Sequence, residues 1–375
     1  MTSEQAPRIG FVGLGVMGTK HAENLDEAGA SIVAGVDIDE NAQSSFADAF
    51  DTETYENHDE MLDIESPDAL VVTTPNRFHE SAAVSALERD VHVLCEKPLA
   101  HTLESAERIA AADDDSDAFC MVGFCNRFAR STTLYRQCQH RGDIGDVEHI
   151  EANYVRRRGI PGLGSWFTDE QLSGGGALMD IGVHAVDLAL HLANFPRVVE
   201  VTGQTRCSIG TDPEYADPDG WAKQWNTSDG TLDVDEAASA FLRCANGVTI
   251  SLEIAWATNR RSDKVVRVVG SEAGAELEIS GNELTLFDTG VGEVDYFDDR
   301  TLSGSATRNR HQIEGEHFLA GVESDERPAM NTIEEGLRVQ RVVDAIYRAS
   351  DTGTAVSVRD AARNRQSSAS VCPSE

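Results

Sequence analysis

The turn Gly13-Leu14-Gly15-Val16-Met17-Gly18 constrains this chain more than any other stretch, because it stands between an apolar run, Ile9 to Val12, and a segment of helical period, Lys20 to Ala28. Glycines at its first, third and sixth positions allow a tight turn, close backbone approach to a ligand and close helix packing. The following helix offers unpaired amides and the positive end of its dipole, which suits a pyrophosphate. Asp37 ends the second apolar run, Ile32 to Val36, at the distance from the turn at which a carboxylate meets a ribose hydroxyl. Gly13, Gly15, Val16, Met17, Gly18 and Asp37 are therefore candidate cofactor-binding residues. Asp39 adds negative charge that disfavours a 2′-phosphate, so the pattern points to NAD over NADP, with a phosphate contact by Thr19 or Lys20 left open. A glycine turn without a ligand is the competing reading.

The rhythm continues to about Val122, with apolar runs at Ala69 to Thr73, Val91 to Leu94 and Phe119 to Val122 and helical segments at Asn41 to Phe50, His79 to Leu87 and Thr102 to Ala111. Short apolar runs separated by helices predict a doubly wound parallel sheet covered on both faces. After about residue 125 longer strand-like segments follow at Val147 to Tyr154, Val198 to Cys207, Ala238 to Cys244, Val248 to Trp256, Val265 to Val269 and Glu283 to Phe287. Asn246-Gly247 predicts a two-residue hairpin between two of them. These predict a second, α+β domain on a mainly antiparallel sheet. Helices at His311 to Gly321 and Ile333 to Ser350 are expected to pack back on the body, and Asp212 to Asp233 reads as a long polar loop.

Sixty-five acidic residues against 31 basic ones give a formal charge of −34 spread along the chain. Such a surface repels phosphate backbones and anionic lipid, so neither nucleic acid nor membrane is expected as a partner. Only four lysines occur, Lys20, Lys97, Lys223 and Lys264. Acidic excess with scarce lysine predicts a halophilic source, since molar salt shortens the Debye length to roughly 3 Å and screens self-repulsion. The seven cysteines, Cys95, Cys120, Cys125, Cys138, Cys207, Cys244 and Cys372, show no CxxC pair and read as reduced, mostly buried thiols, with no metal site expected. The first residues lack a basic and apolar leader and no apolar run is long enough for a membrane span, so a cytoplasmic protein is expected.

Two further segments carry chemistry. Cys95-Glu96-Lys97-Pro98 keeps a rare lysine between an apolar strand and a proline, where an amine could bond a substrate hydroxyl or merely pair with Glu96. Its place at the end of the fifth strand favours the first, because ligands sit outside the carboxyl ends of such strands. Gly174-Gly175-Gly176-Ala177-Leu178-Met179-Asp180-Ile181-Gly182-Val183-His184 enters a helix with Asp180, His184, Asp187 and His191 on one side. General acid-base work, a solvated face and a metal site are all open readings there. One metal cannot use both Asp180 and His191, which lie roughly 16 Å apart along an ideal helix. The triple glycine argues for backbone lying close to something else.

In this order, the glycine turn, the Cys95 to Pro98 strand end and the Gly174 to His184 segment resemble the family of glucose-fructose oxidoreductase, inositol dehydrogenase and MocA-like proteins. The likeness spans about residues 7 to 358 and includes Thr74-Pro75-Asn76 with His79. It implies an NAD(P)-dependent dehydrogenase acting on a CH–OH group of a sugar, polyol or related cyclic alcohol. It implies residues 1–125 as the dinucleotide-binding domain and 126–360 as an open-sheet α+β domain for substrate and oligomer contacts, in a homodimer or homotetramer; residues 361–375, polar and small, are expected to form a flexible tail. Lys97 looks like the family's catalytic and substrate-contacting lysine, Asp180 like its substrate-orienting aspartate and His184 like its catalytic histidine. Thr74, Asn76, His79, Glu96, Lys97 and Arg127 would join the glycine turn and Asp37 around the cofactor, while Arg157 and Trp166 would border the substrate. The family also holds NAD-dependent glycosidases that oxidise transiently, and a noncatalytic cofactor sensor on the same fold is the remaining alternative.

Overall fold

The computed structural model describes residues 6–212, 214–220, 230–305 and 308–358; Lys223, Cys372 and the expected tail 361–375 lie outside the described residues. Six strands, β1 (Arg8–Val12), β2 (Ser31–Val36), β3 (Glu53–Tyr55), β4 (Ala69–Val72), β5 (His92–Glu96) and β6 (Cys120–Gly123), pair in parallel in the order β3-β2-β1-β4-β5-β6. Helices α1 (Val16–Glu27), α2 (Glu40–Phe50), α3 (His58–Glu65), α4 (His79–Leu87) and α5 (Leu103–Asp115) connect them. Successive side chains along β1 and β4 enter two different apolar layers. Ile9, Phe11, Ala69 and Val71 share one with Phe46, and Val12, Leu70 and Val72 share the other with Leu87 and Ile109. Burial on both faces explains why these runs are apolar throughout. The apolar rhythm leaves β3 and α3 unmarked, because β3 is a short edge strand and α3 buries only Met61 and Leu62. The strand order reverses between β1 and β4, which opens a crevice at their carboxyl ends.

The second sheet has nine strands, β7 (Val147–Val155), β8 (Val198–Arg206), β9 (Ala237–Cys244), β10 (Thr249–Ala255), β11 (Val265–Gly270), β12 (Gly274–Glu278), β13 (Glu283–Gly290), β14 (Tyr296–Ser303) and β15 (Val356–Ser357). Their order is β14-β13-β12-β11-β7-β10-β9-β8-β15, and only β7 with β10 runs parallel. The turn from β9 to β10 holds three residues between its closing pair, one more than expected: Cys244 N–H donates to Val248 O at 2.9 Å and Gly247 N–H to Cys244 O at 3.1 Å. A two-residue type I′ turn needs two left-handed residues, and here only Gly247 has positive φ, at 93°.

Helices α6 (Arg130–Arg141) and α8 (Val183–Leu192) cover one face of this sheet, and the short α7 (Glu170–Ser173) leads into a π-helical segment, Leu178–Gly182, that runs on into α8. The other face alternates outward residues such as Thr202, Phe241 and Phe287. Helix α9 (Arg310–Ser324) returns to the first sheet, where Phe318 joins the layer of Ile9 and Phe11; Val122 N–H donates to Asn331 O at 2.8 Å, and α10 (Ile333–Thr352) then packs between β8 and α5. No helix of the described residues is long and apolar enough to cross a membrane.

Candidate active site

Above the crevice, Gly13 holds φ at 92°, and a Cβ there would come within 2.7 Å of the Thr73 carbonyl carbon. Only glycine fits this turn. Leu14 N–H donates to Asp37 Oδ2 at 2.7 Å and Asp39 N–H to Asp37 Oδ1 at 3.0 Å, which fixes the carboxylate at the end of β2. α1 begins with no side-chain cap, so its first amides remain open to a ligand. A cavity of about 360 Å³ lies over the turn, lined by Gly13, Gly15, Asp37, Thr74, Phe78 and Trp166 among others. Thr74 Oγ1 is buried without a partner among the described residues. Bare helix amides, an oriented carboxylate and a spare hydroxyl around an apolar wall fit the adenosine diphosphate half of a dinucleotide.

Across from the cradle, β5 ends at Glu96 and a cis Lys97–Pro98 bond follows. Lys97 Nζ donates to Asp180 Oδ1 and to the Asp180 carbonyl, both at 3.0 Å. The second carboxylate oxygen of Asp180 accepts from the Trp256 indole N–H at 2.9 Å. Burial would raise the Asp180 carboxyl, but the charges of Lys97 and Arg156 outweigh it and hold it at about 2. Burial likewise opposes the Lys97 charge, and the carboxylates of Asp180 and Glu96 keep that amine above its ordinary value. Glu96 accepts the Lys97 backbone N–H at 3.0 Å through Oε2 and faces His21 Nε2 at 2.8 Å through Oε1. His184 follows Asp180 by one turn, with its Nδ1 buried and unpartnered among the described residues and its ring 6.5 Å from that of Tyr154. Burial and the Lys97 charge bring its imidazole down to about 3, so it is neutral at pH 7.

The segment bearing Asp180 and His184 is held by its glycines. A Cβ on Gly174, Gly175 or Gly176 would come within 1.8 Å of His101 O, 2.1 Å of the Tyr347 hydroxyl or 1.8 Å of Asp235 O. Asp235 caps the segment from β9's side, accepting Gly176 N–H at 2.8 Å and Leu178 N–H at 2.9 Å. α8 is buried along its length, which removes the solvated-face reading. Among the described residues no group of three or more His, Cys, Asp or Glu stands where it could hold a metal ion.

Residues 7–124 match an oxidoreductase family with an NAD-binding Rossmann fold, and residues 133–276 match the GFO/IDH/MocA C-terminal domain. The chain belongs to the GFO/IDH/MocA oxidoreductases. D-glucoside 3-dehydrogenase of Escherichia coli K12 is 32% identical over 299 residues, covering 79% of this chain and 81% of its own. D-xylose 1-dehydrogenase (NADP(+)) 2 of Haloferax volcanii is 27% identical over 353 residues, covering 93% and 98%. A levoglucosan dehydrogenase structure in complex with NADH superposes with a TM-score of 0.83 over 95% of this chain and 100% of that one, at 20% identity, and shows the shared fold.

In this GFO/IDH/MocA chain the candidate site gathers Gly13, Gly15, Asp37 and Thr74 around the cavity, with Val16, Met17 and Gly18 opening α1 beside it, and brings Glu96, Lys97, Asp180 and His184 together at the end of β5. Other expected residues stand elsewhere. The His79 ring nitrogens lie 3.0 Å from Pro98 O and 2.9 Å from Thr74 O, so the ring braces two loops. Asn76 Nδ2 donates to Ser173 O at 2.8 Å, tying the two halves together. Arg127 is buried against Asp187 and Glu335, and His191 packs edge-on against Phe195. Trp166 borders the nucleotide cavity, whereas the expected place was beside the substrate. Arg157 is exposed, and it is Arg156, together with Lys264, that flanks Tyr154. Arg156 opens the stretch Arg156 to Phe167 expected to border the substrate, whereas no motif marks Tyr154, Trp256 or Lys264; the scarcity of lysine is a signal for the last of them.

A pH dependence follows from the buried imidazoles. Burial foremost lowers His184, His191 and His311 to about 3 each. Between that value and their ordinary 6.5 the unfolded chain binds three protons that the folded chain refuses, so stability is full above pH 6.5 and falls as pH drops. At pH 5 each ring accounts for a loss of up to about 2 kcal/mol. His79, His92, His101 and His317, which burial also lowers, add to the loss, while Asp187, pushed up by burial to about 6, and Asp113, Asp235 and Glu314, raised by burial too, work in the opposite direction. The urea midpoint at pH 5 is expected well below that at pH 7.5 in the same salt; equal midpoints would mean that the folded protein accepts these protons.

Proposed function

We propose that this protein is an NAD(P)-dependent dehydrogenase that oxidises a carbinol of a sugar, polyol or related cyclic alcohol, with Lys97, Asp180 and His184 at the reacting carbon. The observation that carries this reading is the charged Lys97–Asp180 pair, 3.0 Å apart, beside a neutral His184 at the carboxyl end of β5. Bound along the cradle, the nicotinamide cofactor supplies the hydride acceptor. Lys97 spends two of its three donors on Asp180 and keeps one for the substrate oxygen. Its charge stabilises the alkoxide that develops as the hydroxyl ionises. His184, unprotonated at neutral pH, takes the hydroxyl proton. Asp180 acts mainly by holding the ammonium, since both its oxygens are engaged by Lys97 and Trp256.

The glucoside, xylose and inositol dehydrogenases among the relatives support a carbohydrate or polyol substrate. The oriented Asp37, with Glu56 also lining the cavity, supports NAD over NADP. The open face of the nine-stranded sheet, where Phe241 and Phe287 are exposed, suits contact between copies in a homodimer or homotetramer. A panel of aldoses, inositols, sugar acids and polyols assayed with NAD and NADP in high salt tests the reading. Steady reduction of NAD by one alcohol, with activity largely lost in His184→Asn, is expected. Release of a leaving group from a glycoside with no net NADH would favour the glycosidase alternative, and no reduction by any alcohol would leave a cofactor sensor.

A further inference from the structure

Lys264 occupies a position where the sheet calls for an apolar side chain. Val266 of β11 stands opposite Ala152 of β7, and beyond the strand end Val155 and Asp263 exchange backbone hydrogen bonds of 2.7 and 2.9 Å, so Lys264 lies across from Tyr154. Side chains alternate between faces, which places Lys264 on the side of the buried Val266 and Val268 and sends Asp263 to the opposite one. There Asp263 accepts from Asn153 at 3.0 Å and pairs with Arg260 at 3.1 Å. No carboxylate of the described residues is within ion-pair distance of Lys264. Its Nζ lies 5.7 Å from the centroid of the Tyr154 ring, and the Arg156 guanidinium lies 5.6 Å from the same centroid. That ring in turn is 6.5 Å from His184.

Two cations thus flank one aromatic ring beside the candidate base, in a chain of net charge −34 that uses lysine four times. Asp180 is already engaged on both oxygens by Lys97 and Trp256. The chain as a whole carries a large negative charge, so a local positive field here can select for an anion. We propose that the substrate carries an anionic group, a carboxylate or a phosphate, which Lys264 and Arg156 hold beside Tyr154 while its carbinol faces Lys97 and His184. The inference rests on the dehydrogenase reading above and names its substrate class.

Binding of glucuronate, glucose 6-phosphate and glucose to the NADH complex, which has no oxidant for an alcohol, tests it by calorimetry at fixed ionic strength. One of the two anions is expected to bind at least about tenfold more tightly than glucose, and which one does assigns the carboxylate or the phosphate. Lys264→Gln should remove most of that preference and Lys264→Arg should keep it, with NADH affinity as the check on folding. Failure of both anions to outbind glucose, or a preference unchanged in Lys264→Gln, overturns the proposal. Reduction of NAD by the same three compounds, followed in parallel, tests the dehydrogenase reading separately: tight anion binding without reduction would sink that reading and leave the anion site standing.

Discussion

Lys97→Ala is expected to lower kcat by about a thousandfold while changing the Kd for NAD by no more than a fewfold. One preorganised donor facing a developing oxyanion is worth about 10²–10³ in rate, and Lys97 adds a full charge in a buried setting. The substitution also strips Asp180 of its hydrogen-bonded ammonium, so residual activity depends on a carboxylate left with the Trp256 hydrogen bond and the charge of Arg156. Cofactor affinity changes less, because the cradle of Gly13, Asp37 and Thr74 makes its contacts independently of the lysine. Stopped-flow turnover and equilibrium NAD binding on the same preparation separate the two effects. Unchanged kcat would remove Lys97 from the chemistry, and a parallel loss of NAD affinity would make it a cofactor contact instead. Arginine is not expected to rescue it, since a planar guanidinium cannot present the same compact charge.

Arg127→Ala is expected to act on stability, at about 3–5 kcal/mol, with little selective effect on NAD. The guanidinium is fully buried, donates to both oxygens of Asp187, pairs with Glu335, and lies 5.3 and 4.7 Å from the ring centroids of Phe124 and Phe195. Removing one partner of a buried pair leaves the other charge uncompensated in a dry setting. Burial already pushes the Asp187 carboxyl up to about 6 with the arginine present. Without that arginine the carboxyl should bind a proton near neutrality, so the deficit should shrink as pH is lowered. Urea unfolding at pH 7.5 and 5.5 measures both terms. An unshifted midpoint together with weakened NAD binding would return Arg127 to the nicotinamide pocket.

The nucleotide half was legible because its signals are local. Glycine spacing, an apolar run and an acidic strand end lie within Ile9 to Asp37, and each has one physical meaning in that order. Lys97, which stands out through scarcity, and Asp180 with His184, marked by the glycine-rich entry to their helix, do come together in space. The wall of the substrate pocket was not legible, because sheet register assembles it from distant strands. Trp256 meets Asp180 from 76 residues away, and Lys264 meets Tyr154 only once β7 and β11 are paired. The misplaced Arg157 illustrates the sensitivity: three consecutive arginines follow β7, and a shift of one residue exchanges the pocket side for solvent. Arg127 stands apart from the cradle for another reason, since a motif position fixes where the backbone runs but leaves its side chain free to turn inward to Asp187.

The return of α9 and Asn331 to the first sheet has a consequence for synthesis. Val122 closes the last strand of that sheet by bonding Asn331, a partner 209 residues later in the chain. At ribosomal speeds of about 5–20 residues per second, the wait lasts roughly 10–40 s. Until then the layer of Ile9, Phe11 and Met121 lacks Phe318 and Leu319 and stays partly uncovered, so the nascent nucleotide-binding half is a natural client for chaperones.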